Sequence, residues 1–207
     1  MSNLNIGVLS IQGDVHENIL AVKKSLQKLG YSGTVCSINH EYQLSNLDGL
    51  IIPGGESTTI AKLSMKRYLF KTLYDKINNG MPVFGICAGL ILLSKHVNDK
   101  NIGKTNQIHM DLLDVEVERN YFGRQQYSFE SDVEIILHNP TKIKGIFIRA
   151  PSIKKAGKNV QILSKLNDSI IAVRQNNILA TSFHPELTHD IKLYEYFLSM
   201  LKKINSK

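Results

Sequence analysis

Tryptophan is absent from this 207-residue chain, cysteine occurs only twice and proline five times. No apolar run approaches the roughly 20 residues that a membrane-spanning helix needs. Two cysteines, Cys36 and Cys87, cannot build the disulfide framework of a small secreted domain, and their scarcity suits a reducing cytosol. The start, Met1-Ser2-Asn3-Leu4-Asn5, has no basic segment ahead of an apolar core, so it reads as the approach to a strand and not as a secretory signal. These absences predict a cytoplasmic protein with no membrane contact. What is present is ordinary for a globular fold: 43% apolar and 21% charged residues, in a length that suits one α/β domain over residues 1–207.

The net charge of +7 is the one compositional oddity. Its basic residues are dispersed, and the densest groups are only Lys154-Lys155-Ala156-Gly157-Lys158 and Lys202-Lys203. No aromatic residues interleave them, so a stacking platform for nucleic acid is not expected. A lysine-rich solvated exterior accounts for the charge. An acidic protein partner or phosphorylated substrates nearby would use it equally well.

Apolar periodicity predicts a buried strand over 5–11, ending at Gln12-Gly13-Asp14. Asp14 is placed to cap a helix whose apolar positions are Val15, Ile19, Val22, Leu26 and Leu29, stopped by Gly30. Strands follow at 34–38 and 50–52, the second broken by Pro53-Gly54-Gly55. A helix is predicted over 57–78, with its periodicity weakened at Met65-Lys66-Arg67. Another strand runs through Pro82-Val83-Phe84 into Gly85-Ile86-Cys87-Ala88-Gly89, and a helix follows. This βαβ series predicts a doubly wound, mostly parallel sheet flanked by helices. From Asp111 onward strands predominate, at 112–117, 133–137, 145–148, 160–163, 170–173 and 179–183. They predict antiparallel pairing that extends the sheet, closed by a helix over 191–201.

Cys87 stands at the apex of a strand–turn–helix, with glycines two residues before and two after it. That geometry reverses the chain sharply and sets the thiol at a helix N-terminus, where free N–H groups and the helix dipole favour thiolate. Cys36, mid-strand between Val35 and Ser37, has no such setting and is expected in the core. His184-Pro185-Glu186 supplies a base and an acid two residues apart, which an extended chain puts on one side. Cys87, His184 and Glu186 thus form a candidate nucleophile, base and orienting acid. In Pro53-Gly54-Gly55-Glu56-Ser57 the glycines let a backbone N–H approach a substrate carbonyl, with Ser57 or Thr58 as helix cap. The N–H of Ala88 would be a second oxyanion donor. The loop is too short for a phosphate-binding P-loop and lacks its lysine.

Pro53-Gly54-Gly55, the Cys87 elbow and His184-Pro185-Glu186 resemble the three signatures of class I glutamine amidotransferases. Further segments narrow the resemblance to the PdxT/SNO family, the glutaminase subunits of pyridoxal 5′-phosphate synthase. They are Gly7–Asp14, Gly54–Thr59, Cys87–Leu93, Val117–Asn120, Phe122-Gly123-Arg124-Gln125, Phe147–Pro151 and Thr181–Thr188. Leu90 belongs to this pattern, since many other class I amidotransferases carry glutamine there. The likeness runs from about residue 5 to 200.

The resemblance implies that L-glutamine is hydrolysed to L-glutamate and ammonia, which passes to the partner synthase subunit in a hetero-oligomeric complex. It implies that Gly55, Glu56, Ser57, Arg119, Ile148 and Arg149 hold the glutamine. Arginine forks suit its α-carboxylate, although Arg119 and Arg149 taken alone would read as surface ion pairs. Gly55 joins Ala88 as oxyanion donor, and Gln12 matches the position that senses the synthase. No metal or organic cofactor is expected. Two departures stand out: the stretch 97–110 is longer than usual, and Met110-Asp111-Leu112-Leu113 replaces a glycine-led start to the next strand. A stress-type cysteine hydrolase would need neither the glycine loop nor His-Pro-Glu. The glutaminase of imidazole glycerol phosphate synthase fits Leu90 and the Arg119 segment less well. A non-catalytic binding module would have lost a member of the triad, and none is lost.

Overall fold

The computed structural model describes residues 3–101, 103–123 and 128–205; Arg124 and Gln125 of the Phe122–Gln125 segment, and the side chains of Lys202 and Lys203, lie outside what it describes. The first half alternates strand and helix: β1 (Leu4–Leu9), α1 (Val15–Leu29), β2 (Gly33–Ile38), β3 (Gly49–Ile52), α2 (Ser57–Lys66), α3 (Leu69–Asn78), β4 (Val83–Ile86) and α4 (Ala88–Leu93). α1 buries Ala21, Val22 and Leu26, and Gly30 closes it at φ 66° by donating to the carbonyls of Gln27 and Leu26. The helix expected over 57–78 is two helices, because the chain breaks at Arg67-Tyr68 and Tyr68 turns left-handed at φ 59°. That is where the periodicity weakened. Cys36 is not in the core: β2 is the edge strand of the sheet, and Cys36 lies exposed on it.

The second half is mostly strand: β5 (Ser94–Asp99), β6 (Gly103–Lys104), β7 (Leu113–Arg119), β8 (Phe129–Ile136), β9 (Pro140–Phe147), β10 (Ser152–Ala156), β11 (Gln161–Leu166), β12 (Ser169–Gln175) and β13 (Ile178–Thr181), then α5 (Lys192–Asn205). β5, β6 and β10 were not anticipated. β5 and β6 form a hairpin within the long 97–110 stretch, with Asn98 opposite Lys104. Met110 takes up the slack after it, buried and donating its N–H to the Leu92 carbonyl at 2.6 Å. Asp111 then adopts φ 57°, the conformation a glycine would take without strain.

The main sheet runs β2-β1-β3-β4-β13-β12-β10-β7-β5-β6, with β11 added beside β12 and a separate β8-β9 pair. From β2 to β13 all neighbours are parallel. β12, β10 and β7 continue antiparallel, as expected for the C-terminal half. Alternate residues of the parallel strands face opposite layers: Ile51 and Phe84 join α1 and α5, while Leu50, Ile52 and Val83 join α2, α3 and α4. A parallel sheet covered on both faces binds ligands beyond the carboxyl ends of its strands. Here the carboxyl ends of β1, β3, β4 and β13 lead into Gln12-Gly13-Asp14, Pro53-Gly54-Gly55, Cys87 and His184. These four segments lie together at the carboxyl ends of the parallel strands.

Candidate active site

Cys87 follows β4 directly, and its N–H donates to the Thr181 carbonyl of β13 at 2.8 Å. Its backbone is left-handed at φ 48°, a conformation that costs energy in any residue but glycine and that marks a strained elbow. The glycines beside it make the turn possible by their lack of bulk. A Cβ on Gly89 would run into the Ile52 carbonyl of β3, so only glycine lets α4 pack this close. The register sets Ile86 opposite Thr181, which puts the residues after each strand side by side.

His184 is reached three residues beyond β13, and its N–H is pinned to the Ile146 carbonyl at 2.9 Å. Its Nδ1 lies 2.7 Å from Glu186 Oε1. The route to that contact differs from the expected one: Pro185–Leu187 is a 3₁₀ turn, so Glu186 meets the ring by curling beneath it and not by extended-chain alternation. Nδ1 also lies 3.4 Å from Asp14 Oδ2. Burial by itself would drive the imidazole pKa down. The charge of the adjacent Cys87 and hydrogen bonds to Asp14, Cys87 and Glu186 overcome this, and the pKa is pushed up to about 12. Burial raises Glu186, opposed by its bond to His184. The His184 hydrogen bond holds Asp14 below the usual carboxylate range, against its partial burial. The result is a cationic ring set between a sulfur and two carboxylates.

In front of Cys87 and His184 opens a cavity of about 230 Å³, the size of one small molecule. All six residues expected to hold substrate, Gly55, Glu56, Ser57, Arg119, Ile148 and Arg149, line it. Glu186 sits behind the ring, and Ala88 opens α4 immediately after the thiol. Gln12 is beside the cavity, where its Oε1 accepts from the Glu56 N–H at 2.7 Å and so anchors the glycine loop. Gly54 rests against the imidazole, and a Cβ there would collide with Cε1 and come within 2.8 Å of Nδ1. The cap of α2 is Glu56, not Ser57 or Thr58: its carboxylate accepts from the Thr58 N–H at 3.3 Å and from Arg119 Nη2 at 3.3 Å.

The two arginines differ. Arg119 is largely buried and engaged, with Nη1 donating to Gln107 Oε1 at 2.7 Å besides its Glu56 pair. Arg149 is exposed, left-handed at φ 45°, and makes no ion pair with any described residue. It is the freer of the two for a ligand carboxylate. Sequence reasoning missed Asp14 and Gln107 as members of this site. Asp14 read as a helix cap, yet its side chain makes no cap bond. Gln107 belongs to the long stretch, and only its position upstream of the Arg119 strand could have flagged it. The basic cluster proves to be partly neutralised: Lys154 and Lys155 pair with Glu118 and Glu116 across the β10–β7 boundary.

A parallel sheet with a strained cysteine elbow, a carboxylate-bound histidine and a glycine loop over a small cavity is the arrangement of a glutamine amidotransferase. A crystal structure of a glutamine amidotransferase is 39% identical, superposes with a TM-score of 0.82, and covers 95% of this chain and 98% of its own. PurLQS from Thermotoga maritima, 15% identical with a TM-score of 0.66 over 99% of this chain and 100% of its own, shares the fold alone. The SNO glutamine amidotransferase family profile matches residues 8–203, and this chain belongs to that family. Curated relatives named pyridoxal 5′-phosphate synthase subunit PdxT include that of Nitrosopumilus maritimus, 45% identical over 96% of this chain and 97% of its own. That of Staphylothermus marinus is 44% identical over 97% and 100%.

Proposed function

We propose that residues 1–207 form a single glutamine amidotransferase domain that hydrolyses L-glutamine in the cytosol and delivers ammonia to a pyridoxal 5′-phosphate synthase subunit. One observation carries the chemistry: Cys87, His184 and Glu186 converge behind a small-molecule cavity lined by every residue expected to hold glutamine. The names of the relatives support the partner and the pathway.

Cys87 thiolate attacks the side-chain amide carbon, and N–H groups of Gly55 and Ala88 stabilise the oxyanion. The His184 imidazolium gives its proton to the amide nitrogen, which leaves as ammonia and yields a γ-glutamyl thioester. Neutral His184 then takes a proton from water; the hydroxide attacks the thioester, expels the thiolate and releases glutamate. Glu186 fixes the tautomer and stabilises the cation. Arg149 suits the α-carboxylate, with Arg119 holding Glu56 in place. These steps draw on no metal or organic cofactor, and pyridoxal phosphate is product of the complex.

Ammonia released without an acceptor is lost, so activity is expected to depend on docking. The switch we favour is the Gly54-Gly55 peptide, whose flip would remove an oxyanion donor at a cost of roughly a hundredfold or more in turnover. Gln12, bonded to Glu56, is the residue through which the synthase would be sensed. The test is glutamate release by the purified chain with and without its synthase subunit. Slow release alone and strong acceleration on mixing are expected. No release under either condition would overturn the glutaminase reading, and full activity of the isolated chain would overturn the switch.

A further inference from the structure

Asp14 occupies the N-cap position of α1 but leaves the cap unmade: φ is −82°, ψ is 60°, and no backbone N–H is bound by its carboxylate. The backbone is held elsewhere. Its carbonyl accepts from Asn18 Nδ2 at 2.7 Å, and Asn18 Oδ1 accepts from the buried Tyr194 hydroxyl at 2.8 Å. That chain ties the start of α1 to α5. The freed carboxylate lines the cavity and lies 3.4 Å from His184 Nδ1, the nitrogen that Glu186 binds at 2.7 Å. Gly13 packs against the Gly54 carbonyl, and Gly54 packs on the imidazole, so the segment 12–14 touches both the glycine loop and the ring.

We propose that Asp14 is a positioning residue, a second carboxylate that pairs with the His184 cation beside the Glu186 hydrogen bond and holds the ring from its cavity side. This rests on the glutaminase reading above and adds to it a residue outside the triad. The division of labour follows from exposure. Glu186 has a fully buried side chain, while that of Asp14 is 37% exposed. Charged groups facing the ring come from three places: Cys87 at the elbow, Glu186 in the turn after β13 and Asp14 at the start of α1. Behind the two carboxylates stands the buried hydroxyl of Tyr194, pushed well up by burial and by both their charges. A neutral residue at 14 leaves the cation with one carboxylate, and the ring then loses its proton at lower pH.

The test is Asp14→Asn, assayed for glutamine hydrolysis with the synthase subunit and, separately, by NMR titration of the His184 ring. The substitution keeps size and breaks no helix cap, so the thermal transition should stay within a few degrees. The ring is expected to titrate roughly one pH unit lower than in the wild type, with the alkaline limb of kcat/KM moving the same way. Turnover should fall by about threefold to tenfold, a larger change than that in KM, because the change acts chiefly through His184. Asp14→Glu should restore part of the turnover. A ring titration unchanged in Asp14→Asn would overturn the proposal, as would an unchanged alkaline limb. Ring titration needs no turnover, so a wild-type protein without glutaminase activity would sink the functional reading while the role of Asp14 was still decided.

Discussion

The two halves of the main sheet share one covering of helices and strands, but they give the site different things. From β2 to β13 the strands are parallel, and their carboxyl ends carry the groups proposed to react, beside glycines whose added Cβ would clash. From β12 to β6 the order is mostly antiparallel, and this half supplies Arg119 at the end of β7 and, from the neighbouring β8-β9 pair, Ile148 and Arg149 after β9. Chemistry that needs fixed atoms is built where the backbone is pinned on both sides. The cavity wall is shared: Gly55, Glu56 and Ser57 stand on the parallel edge, while Arg119, Ile148 and Arg149 come from the ends of β7 and β9. His184 ties the parallel edge to the separate β8-β9 pair, since its N–H is bonded to Ile146 of β9.

The comparison predicts that substitutions on the parallel edge cut turnover and those on the antiparallel side mainly weaken binding. The largest effect is expected for Cys87→Ala, which should lower glutamine hydrolysis by about 10⁴-fold or more with circular dichroism unchanged. His184→Asn should approach that loss. Glu186→Gln should cost on the order of ten to a hundred times less, since it disturbs orientation and not the proton transfer itself. A folded Cys87→Ala protein that still turned over glutamine would break the assignment at its root.

Gly54→Ala sharpens the comparison, because it adds one methyl group and removes no reactive atom. The methyl would press on the His184 ring, and a displacement of about 1 Å in such a group costs on the order of a hundredfold in rate. Turnover should fall by about that factor. Wild-type kinetics in Gly54→Ala would mean that the loop is slack and that the close packing on His184 is not needed.

How much of this was legible beforehand divides along the same line. In the parallel half the elements are local: α1 has its apolar stripe and closing glycine, and the Cys87 elbow carries its two glycines within five residues. Such features are set by neighbours in sequence, so the chain displays them. β10 was hidden because its partner is distant: it pairs with β7 across more than thirty residues and contains two lysines that read as surface. β5 and β6 form a local hairpin, but their residues are mostly polar and show no strand-like apolar alternation. Asp14 and Gln107 escaped for a related reason. The partner of Asp14, His184, lies near the other end of the chain, and although Arg119 is only 12 residues beyond Gln107, no motif around Gln107 marks the contact. The His184–Glu186 contact was anticipated for the wrong geometric reason, since a 3₁₀ turn brings them together.

On the binding side, Arg149→Ala should raise the Michaelis constant for glutamine about tenfold with turnover nearly unchanged, as befits loss of a contact made in ground and transition states alike. Arg119→Ala should raise it too and also lower turnover, because Arg119 holds Glu56 and Gln107, and Glu56 is tied through Gln12 to the glycine loop. Equal, purely KM effects in both variants would erase the distinction between the free arginine and the engaged one.

The smallest effect belongs to Cys36, and it tests whether position or exposure governs a thiol here. Cys36 is exposed on edge strand β2, while Cys87 is 7% exposed. Access alone would make Cys36 the reactive one. Yet partial burial raises the Cys36 pKa, and no cation among the described residues lies beside it to favour the thiolate. Cys87 faces the His184 imidazolium at a cavity of about 230 Å³. A diazo-ketone analogue of glutamine should therefore label Cys87 and leave Cys36 unmodified, as read by peptide mass spectrometry. Cys36→Ala should leave hydrolysis intact and shift stability by no more than about 0.5 kcal/mol, the usual range for a surface site. Label on Cys36 with Cys87 untouched would show that exposure outweighs the pinned edge, and the contrast between the two halves of the sheet would lose its chemical meaning.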